Sequence, residues 1–165
     1  MTNSVDSTLD TSSLTIPQRS HARRLALQAL FQVDAQGDDF LSAGLAEFIA
    51  QSTNDISVRL RAIYMVNHAW DYRKVSDDWI SRLMKEWSLS RIAAVDRAVL
   101  RLALWEMTGE RSTPPKIVLD EAINMAGEYS TAESSKFVNG VLGAAYTEFA
   151  ANTSAAESRP ENTSE

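Results

Sequence analysis

The sequence predicts an all-α protein, a bundle of about seven helices in two small helical subdomains. Helix-capping patterns begin several segments, apolar residues recur at helical spacing, and no segment carries a convincing strand pattern. The chain has 165 residues, of which 44% are hydrophobic. This is enough for one domain with a hydrophobic core.

The first predicted helix has the clearest boundaries. Thr15 and Gln18 form a T-x-x-Q capping box with Pro17 in the first turn, and Gly37 follows the last helical residue at Gln36. Further helices are predicted over residues 41–52, 57–72, 76–86, 91–108, 113–128 and 130–149. The short connections between them favour a helical bundle.

The last three helices differ in character. The helix over residues 91–108 is the most apolar and is predicted to be the buried central helix. Thr113 is predicted to cap the next helix, with Pro114 at its first position. Ser130 and Glu133 suggest an S-x-x-E capping box at the start of the last one.

The two ends of the chain differ from the middle in composition. Residues 1–14 are rich in Ser, Thr and Asp, and residues 150–165 are rich in Ser, Asn, Glu and Pro. Both segments are predicted to be disordered tails, because they contain too little apolar surface to offset the entropy of ordering. The helical domain is therefore expected over residues 15–149.

Composition argues against several classes of function. The absence of cysteine excludes disulfides, thiolate zinc sites and a cysteine nucleophile. The two histidines, His21 and His68, have no Ser or Asp at triad spacing, and no glycine-rich phosphate loop occurs. We therefore expect no enzymatic activity, no cofactor and no metal. With no signal peptide or membrane-length apolar run, a cytoplasmic location and no membrane partner are expected.

The net charge of −6 is concentrated in the ends of the chain. Without residues 1–17 and 150–165, the remaining chain has 15 basic and 17 acidic residues. An acidic protein with a nearly neutral core can still bind phosphate through a local basic patch.

The last helix contains the run K-F-V-N-G-V-L, from Lys136 to Leu142. An Asn-Gly pair inside a helix is unusual, since Gly costs about 1 kcal/mol relative to Ala there. Either a close-packed neighbour or a surface that a ligand must approach would explain it. Phe137, beside Lys136 and one turn from Gly140, is a platform for stacking an unpaired base or a contact to a neighbouring helix.

Two other helices carry charged residues of interest. Arg19, His21, Arg23 and Arg24 lie in the opening turns of the first helix, where cations oppose the helix dipole. With Gln28 they could follow a phosphate backbone, or they could form only a solvated basic face. In the central helix, Asp96 either pairs internally or contacts a partner protein.

Three stretches together resemble the transcription antitermination factor NusB family. They are A-R-R-L-A-L-Q-A-L-F at residues 22–31, W-S-L-S-R-I-A-A-V-D-R-A-V-L-R-L-A-L-W-E-M at residues 87–107, and the run from Pro115 through Leu142. The similarity covers residues 18–148, in order and at the family's spacing.

The resemblance implies an RNA-binding, two-lobed bundle of seven helices. Such proteins pair with NusE, a small-subunit ribosomal protein, and read the single-stranded boxA element of nascent transcripts for the RNA polymerase antitermination complex, notably in ribosomal RNA operons. The resemblance implies RNA-binding roles for Arg19, His21, Arg23, Arg24, Gln28, Glu133, Lys136, Phe137 and Asn139, and a partner-protein interface at Asp96.

The chain departs from the family pattern in its charges. Ser20 and His21 stand where further arginines are common, which predicts weaker RNA binding by the chain alone and more dependence on the partner. Two alternatives remain. One is a protein-interaction module, as a homodimer or as a chaperone for the ribosomal protein. The other is an RNA cytosine methyltransferase, which the missing cysteine and catalytic domain argue against.

Overall fold

Seven α-helices form the protein in the computed structural model, which describes residues 13–85 and 88–158. They are α1 (Ile16–Gln36), α2 (Leu45–Ser52), α3 (Ile56–Asp71), α4 (Arg73–Leu83), α5 (Ala94–Leu104), α6 (Pro115–Tyr129) and α7 (Ala132–Glu157). Two π-helical turns, Phe40–Gly44 and Trp105–Glu110, and a 3-10 turn, Leu89–Arg91, lie between them. The described residues contain no strand, which confirms the all-α prediction.

The chain divides into two compact units, Met1–Trp70 and Asp71–Glu165. This agrees with the expectation of two helical subdomains. The predicted tail at residues 1–14 lies almost wholly outside the described residues, as do residues 159–165 of the other tail.

In the first unit, α1 begins and ends as the sequence predicts. The Thr15 hydroxyl accepts a hydrogen bond from the Gln18 backbone N–H at 3.3 Å, and the Gln18 side chain accepts one from the Thr15 N–H at 2.9 Å. At the other end Gly37 has φ 78°, in the left-handed region that favours glycine. Its N–H donates to the Val33 carbonyl at 2.7 Å and so closes the helix.

The core of the first unit is built around α1. Its buried apolar residues, which pack against α2 with its buried Leu45 and Ile49, are Ala22, Leu25, Ala26, Leu27, Ala29, Leu30 and Val33. Burial of each large aliphatic side chain contributes about 1.5–3 kcal/mol. Seven of the nine residues from Ala22 to Leu30 are buried, so only a narrow strip of the middle of α1 reaches solvent.

The second unit is organised by α5, which confirms the prediction of a buried central helix. Leu100, Leu102 and Leu104 are completely buried, although Leu102 lies on the side of the helix opposite to Leu100 and Leu104. The buried Arg101 is neutralised by Asp77 of α4, whose two carboxylate oxygens each accept a guanidinium hydrogen bond at 2.8 Å. Helices α4, α6 and α7 all pack against α5.

Two predicted caps are each wrong by one residue. Helix α6 begins at Pro115, not Pro114, and Thr113 does not cap it. The reason is that a residue before proline is forced away from helical geometry, so Pro114 remains extended at ψ 135°. Helix α7 is capped by Thr131, whose hydroxyl accepts from the Ser134 N–H at 3.2 Å, while Ser130 ends α6.

Helix α7 extends eight residues beyond its predicted end at Phe149, to Glu157. The predicted tail at residues 150–165 is therefore wrong for residues 150–157. This segment contains four alanines, the best helix former, and continues a helix that packing has already nucleated. Composition alone suggested disorder because Ser, Asn and Thr stand among the alanines.

Candidate nucleic-acid interface

In the first unit, one face of α1 presents His21, Arg24, Gln28 and Phe31, which we call the α1 stripe. His21 and Phe31 are exposed, Phe31 by 37%, and Arg24 and Gln28 are half-buried. Their spacings of three and four place them along one side of the helix. The stripe therefore combines cationic, amide and aromatic groups over about three helical turns.

Arg23 does not belong to this exposed face. Its side chain is only 4% exposed, so the interpretation of a solvated basic face is wrong for this residue. Arg19 is half-buried at the beginning of the helix. Arg24 donates a hydrogen bond from Nη1 to the Ser20 carbonyl at 3.3 Å, which directs the guanidinium along the helix surface. Of the three arginines, Arg24 is the one on the exposed stripe.

A carboxylate borders the start of this stripe. Asp55 accepts a hydrogen bond from the Gln18 side chain at 2.9 Å and others from the Ser57 and Val58 N–H groups at the start of α3. The Gln18 hydrogen bond first, then these backbone bonds and the nearby His21, hold the pKa of Asp55 below its usual value. Asp55 thereby links the opening turns of α1 and α3.

In the second unit, the first half of α7 carries the other predicted residues. Glu133, Lys136 and Asn139 are exposed, and Phe137 is half-buried. Gly140 is also exposed, and a Cβ atom built on it would meet no atom within 4 Å. Close packing therefore does not explain the Asn-Gly pair.

Phe137 lines an open pocket of about 500 Å³. The pocket is largely apolar, with walls from the end of α4 and from the segment leading into α5; these apolar residues are Leu83, Met84, Ile92 and Ala93. Lys85 and Arg91 are exposed at its edge. An aromatic ring beside an apolar slot with cations at its edge suits a flat, anionic ligand such as a nucleotide.

Asp96 contributes a buried carboxylate to the same pocket. It is 7% exposed, and its Oδ2 accepts a hydrogen bond from the Ser134 hydroxyl at 3.0 Å. Oδ1 is also buried but has no hydrogen-bond donor in the part of the chain that the structure describes. The expected internal pairing of Asp96 is thus found for only one of its two oxygens.

Hydrogen bonds hold two walls of the pocket in place, one at the start of α7 and one between α5 and the 3-10 turn. Ser134 is held by the Ser130 and Thr131 hydroxyls at 2.9 and 3.1 Å, at the start of α7. On the opposite wall, Arg97 donates from Nη1 to the Leu89 carbonyl at 3.3 Å, which ties the 3-10 turn to α5. Both walls are therefore anchored by hydrogen bonds as well as by packing.

Sequence reasoning missed four residues of these surfaces. They are Phe31, Lys85, Arg91 and Ser134. Phe31 could have been found, since it follows Gln28 by three positions on the same helix face. The other three are brought to the pocket by the packing of α4, α5 and α7, and no local pattern marks them.

Residues 13–85 and 88–158 show neither a metal site nor a membrane-spanning helix. No group of three or more His, Asp or Glu side chains is arranged to hold a metal ion there. No helix in the same residues combines the length and apolar character needed to cross a membrane.

Comparison with known proteins gives a consistent result. The profile of the NusB family matches residues 20–147. The chain is 40% identical to the transcription antitermination protein NusB of Symbiobacterium thermophilum over 132 residues, covering 76% of this chain and 86% of that protein. It is also 40% identical to the NusB of Streptomyces avermitilis over 128 residues, covering 76% and 88%.

Solved structures agree. The chain in a crystal structure of T. maritima NusB is 34% identical to this chain in sequence and superposes with a TM-score of 0.68. The match covers 79% of this chain and 91% of that one. A crystal structure of the antitermination factors NusB and NusE in complex with dsRNA contains a chain that is 25% identical, with a TM-score of 0.71 and coverage of 81% and 99%. The protein described here belongs to the NusB family.

Proposed function

We propose that this protein is an RNA-binding transcription antitermination factor. It pairs with the small-subunit ribosomal protein NusE on boxA-type RNA of nascent transcripts, notably those of ribosomal RNA operons, within the antitermination complex of RNA polymerase in the cytoplasm. The observation that carries this proposal is the pocket beside Phe137, which combines an aromatic wall with cations at its edge.

The chemistry of the pocket fits single-stranded RNA. Unpaired bases are recognised by stacking on aromatic side chains and by hydrogen bonds to their edges, and stacking contributes about 1–3 kcal/mol per base. Phe137 supplies the ring, while Lys85 and Arg91 supply positive charge for the flanking phosphates. Lys136 and Asn139, exposed on the same turns of α7, extend the polar surface.

The α1 stripe supplies a second RNA contact. Arg24 and His21 bind phosphates, Gln28 offers an amide, and Phe31 stacks a base. Arg19 contributes at the beginning of the helix, whereas the buried Arg23 supports the stripe from beneath. Glu133 is exposed near Lys136 and limits how closely phosphate approaches there.

The ribosomal partner is proposed because a related chain was crystallised with NusE and RNA. A protein of net charge −6 gains affinity for RNA by binding as a pair, since the partner adds its own contacts. The relatives named above are transcription antitermination proteins, which supports the biological role proposed for this one.

A fluorescence-anisotropy titration tests the proposal directly. A short boxA-type RNA is titrated with the protein, with and without the ribosomal protein, at two salt concentrations. We expect binding that weakens with salt and strengthens with the partner. No binding under either condition would reject the RNA function, and sedimentation would then ask whether a homodimer hides the α1 stripe.

A further inference from the structure

We propose that residues 1–12, the N-terminal segment, compete with RNA for the α1 stripe. The carboxylates of Asp6 and Asp10 occupy the cations of the stripe, and RNA must displace them. This inference rests on the proposed RNA-binding function and adds regulation of that same surface. The RNA contacts proposed above give the N-terminal segment no role, although it directly precedes the helix that carries the stripe.

The first step is the charge of the two regions. The N-terminal segment contains two aspartates and no Lys, Arg or His. The first turn of α1 contains no acidic residue, and Arg19, His21 and Arg24 follow within the next two turns. The start of a helix carries partial positive charge, so these cations oppose the helix dipole and carboxylates are favoured there. Carboxylates from the N-terminal segment therefore offset a repulsion that is built into α1.

The second step is the place where the chain enters the described structure. Leu14 is buried and the next residue caps α1, so the N-terminal segment is attached at the end of α1 that carries the cations. Asp10 and Asp6 precede Leu14 by four and eight residues, which allows them to extend at most about 14 and 28 Å from it. Arg24 lies about 15 Å from Leu14 along the helix axis. Asp6 therefore reaches Arg24, whereas Asp10 reaches the first turns of α1.

The third step is the carboxylate that already borders the stripe. Asp55 is held by the Gln18 side chain and by backbone N–H groups at the start of α3. The Gln18 hydrogen bond contributes most to lowering the pKa of Asp55, and the nearby His21 also contributes. The start of the stripe thus accommodates an acidic group beside its histidine. Asp6 and Asp10 extend this pattern along the helix toward Arg24.

The fourth step is the consequence for RNA. Carboxylates and phosphates bind the same guanidinium groups, and a competitor on the same chain acts at an effective concentration in the millimolar range. Exposed ion pairs are individually weak, which suits a competitor that RNA can displace. The apparent affinity for RNA falls in proportion to the fraction of molecules with an uncovered stripe. Coverage of about half to nine-tenths of the molecules weakens RNA binding by about 2- to 10-fold.

The first arm of the test measures RNA binding in the presence of the ribosomal protein. Asp6→Asn/Asp10→Asn should bind a short boxA-type RNA about 2- to 10-fold more tightly than wild type at low salt, and the gain should shrink as salt rises. Glu161→Gln/Glu165→Gln is the matched control, because it removes the same charge from the other end of the chain and should leave the affinity nearly unchanged. In an Arg24→Gln background the gain should be smaller, since one cation that holds the segment is missing.

The second arm detects the contact itself and needs no RNA. The chain has no cysteine, so Ser4→Cys accepts a single nitroxide label, and nuclear magnetic resonance then reports which backbone amides lie near residue 4. The amides of the α1 stripe should be broadened in the labelled chain. The broadening should decrease when Asp6→Asn/Asp10→Asn is added, when salt is raised, and when RNA is bound.

The outcomes separate the inference from the proposed function. Equal RNA affinity of wild type and Asp6→Asn/Asp10→Asn would overturn the inference, and so would an equal gain in Glu161→Gln/Glu165→Gln, which would show that only net charge matters. Broadening that ignores the aspartate substitutions would also overturn it. Broadening that grows with protein concentration would overturn it by assigning the contact to a second copy of the chain. Failure of every variant to bind RNA would instead reject the proposed function, while the broadening would still decide whether the N-terminal segment lies on the stripe.

Discussion

The α1 stripe and the pocket beside Phe137, the two surfaces proposed to bind RNA, differ in shape and in burial. The stripe is an exposed strip of a helix, with its cationic and aromatic groups in or near solvent. The pocket is concave and mostly apolar, and it holds a buried carboxylate with one unsatisfied oxygen. Exposed charges bind phosphate with little regard to sequence, while a buried acceptor discriminates between bases. Under the proposed function, we therefore expect the stripe to contribute mainly affinity for RNA and the pocket mainly selectivity among bases.

Removal of the aromatic wall should have the largest effect. Phe137→Ala deletes the stacking surface of the pocket and should weaken RNA binding by about 10- to 100-fold in the presence of the partner, measured by anisotropy. Tyr146→Ala is the matched control, since Tyr146 is an exposed aromatic of the same helix outside the pocket. Equal losses from the two variants would show that the pocket has no special role.

Removal of the stripe's arginine should change salt dependence more than selectivity. Arg24→Gln should weaken binding to all RNAs by a similar factor and reduce the slope of log K against log salt by about one unit, because one phosphate contact is lost. Lys116→Gln, an exposed cation of α6, serves as the control. A change in base preference in Arg24→Gln would contradict the division of roles between the two surfaces.

Substitution of Gly140 should separate stability from binding. Gly140→Ala has open space for the new methyl group, so the free energy of unfolding should rise by about 1 kcal/mol, measured by urea denaturation. RNA affinity should fall at the same time, because the methyl group obstructs the surface next to Phe137. Gly143→Ala, also with open space, should give a similar gain in stability and leave RNA binding unchanged. A stabilised Gly140→Ala with full affinity would mean that RNA does not approach this turn.

The smallest effect is expected at Asp55, beside the α1 stripe. The folded-state pKa of Asp55 lies below the unfolded value of about 3.9, so its contribution to stability is present above that pH and is lost as pH falls through the folded pKa. As the pH falls, Asp55→Asn should therefore lose slightly less stability than the wild-type protein. Thermal melts of both proteins between neutral and acidic pH measure this difference. Unchanged melts across that range would show that the Gln18 hydrogen bond does not matter for folding.

Sequence patterns were reliable where the signal is local. The Thr15–Gln18 capping box, the Gly37 stop and the buried α5 were all predicted correctly, since each depends on residues within one or two helical turns. The start of α6 was predicted one residue too early, although the signal is local: Pro115 forces Pro114 out of helical geometry.

Burial of charged side chains was harder to foresee. Arg23 and Arg24 are neighbours with the same side chain, yet one is buried and the other lies on the stripe. Neighbouring residues of a helix point about 100° apart, so Arg23 and Arg24 face different sides of α1. Which of these sides is buried depends on the tertiary packing. The roles of both in RNA binding remain predictions.

The sequence by itself determined the helical class, most of the helix starts and the polar composition of α1 and α7. Tertiary structure decided where a ligand could bind. Leu83, Arg91, Asp96 and Phe137 lie on four different elements, and the pocket exists only because α4, α5 and α7 pack together. Helix formation depends on neighbours three and four positions apart in the sequence. A pocket depends on contacts between residues that are far apart in the sequence, such as Asp96 and Ser134, which are separated by 38 positions.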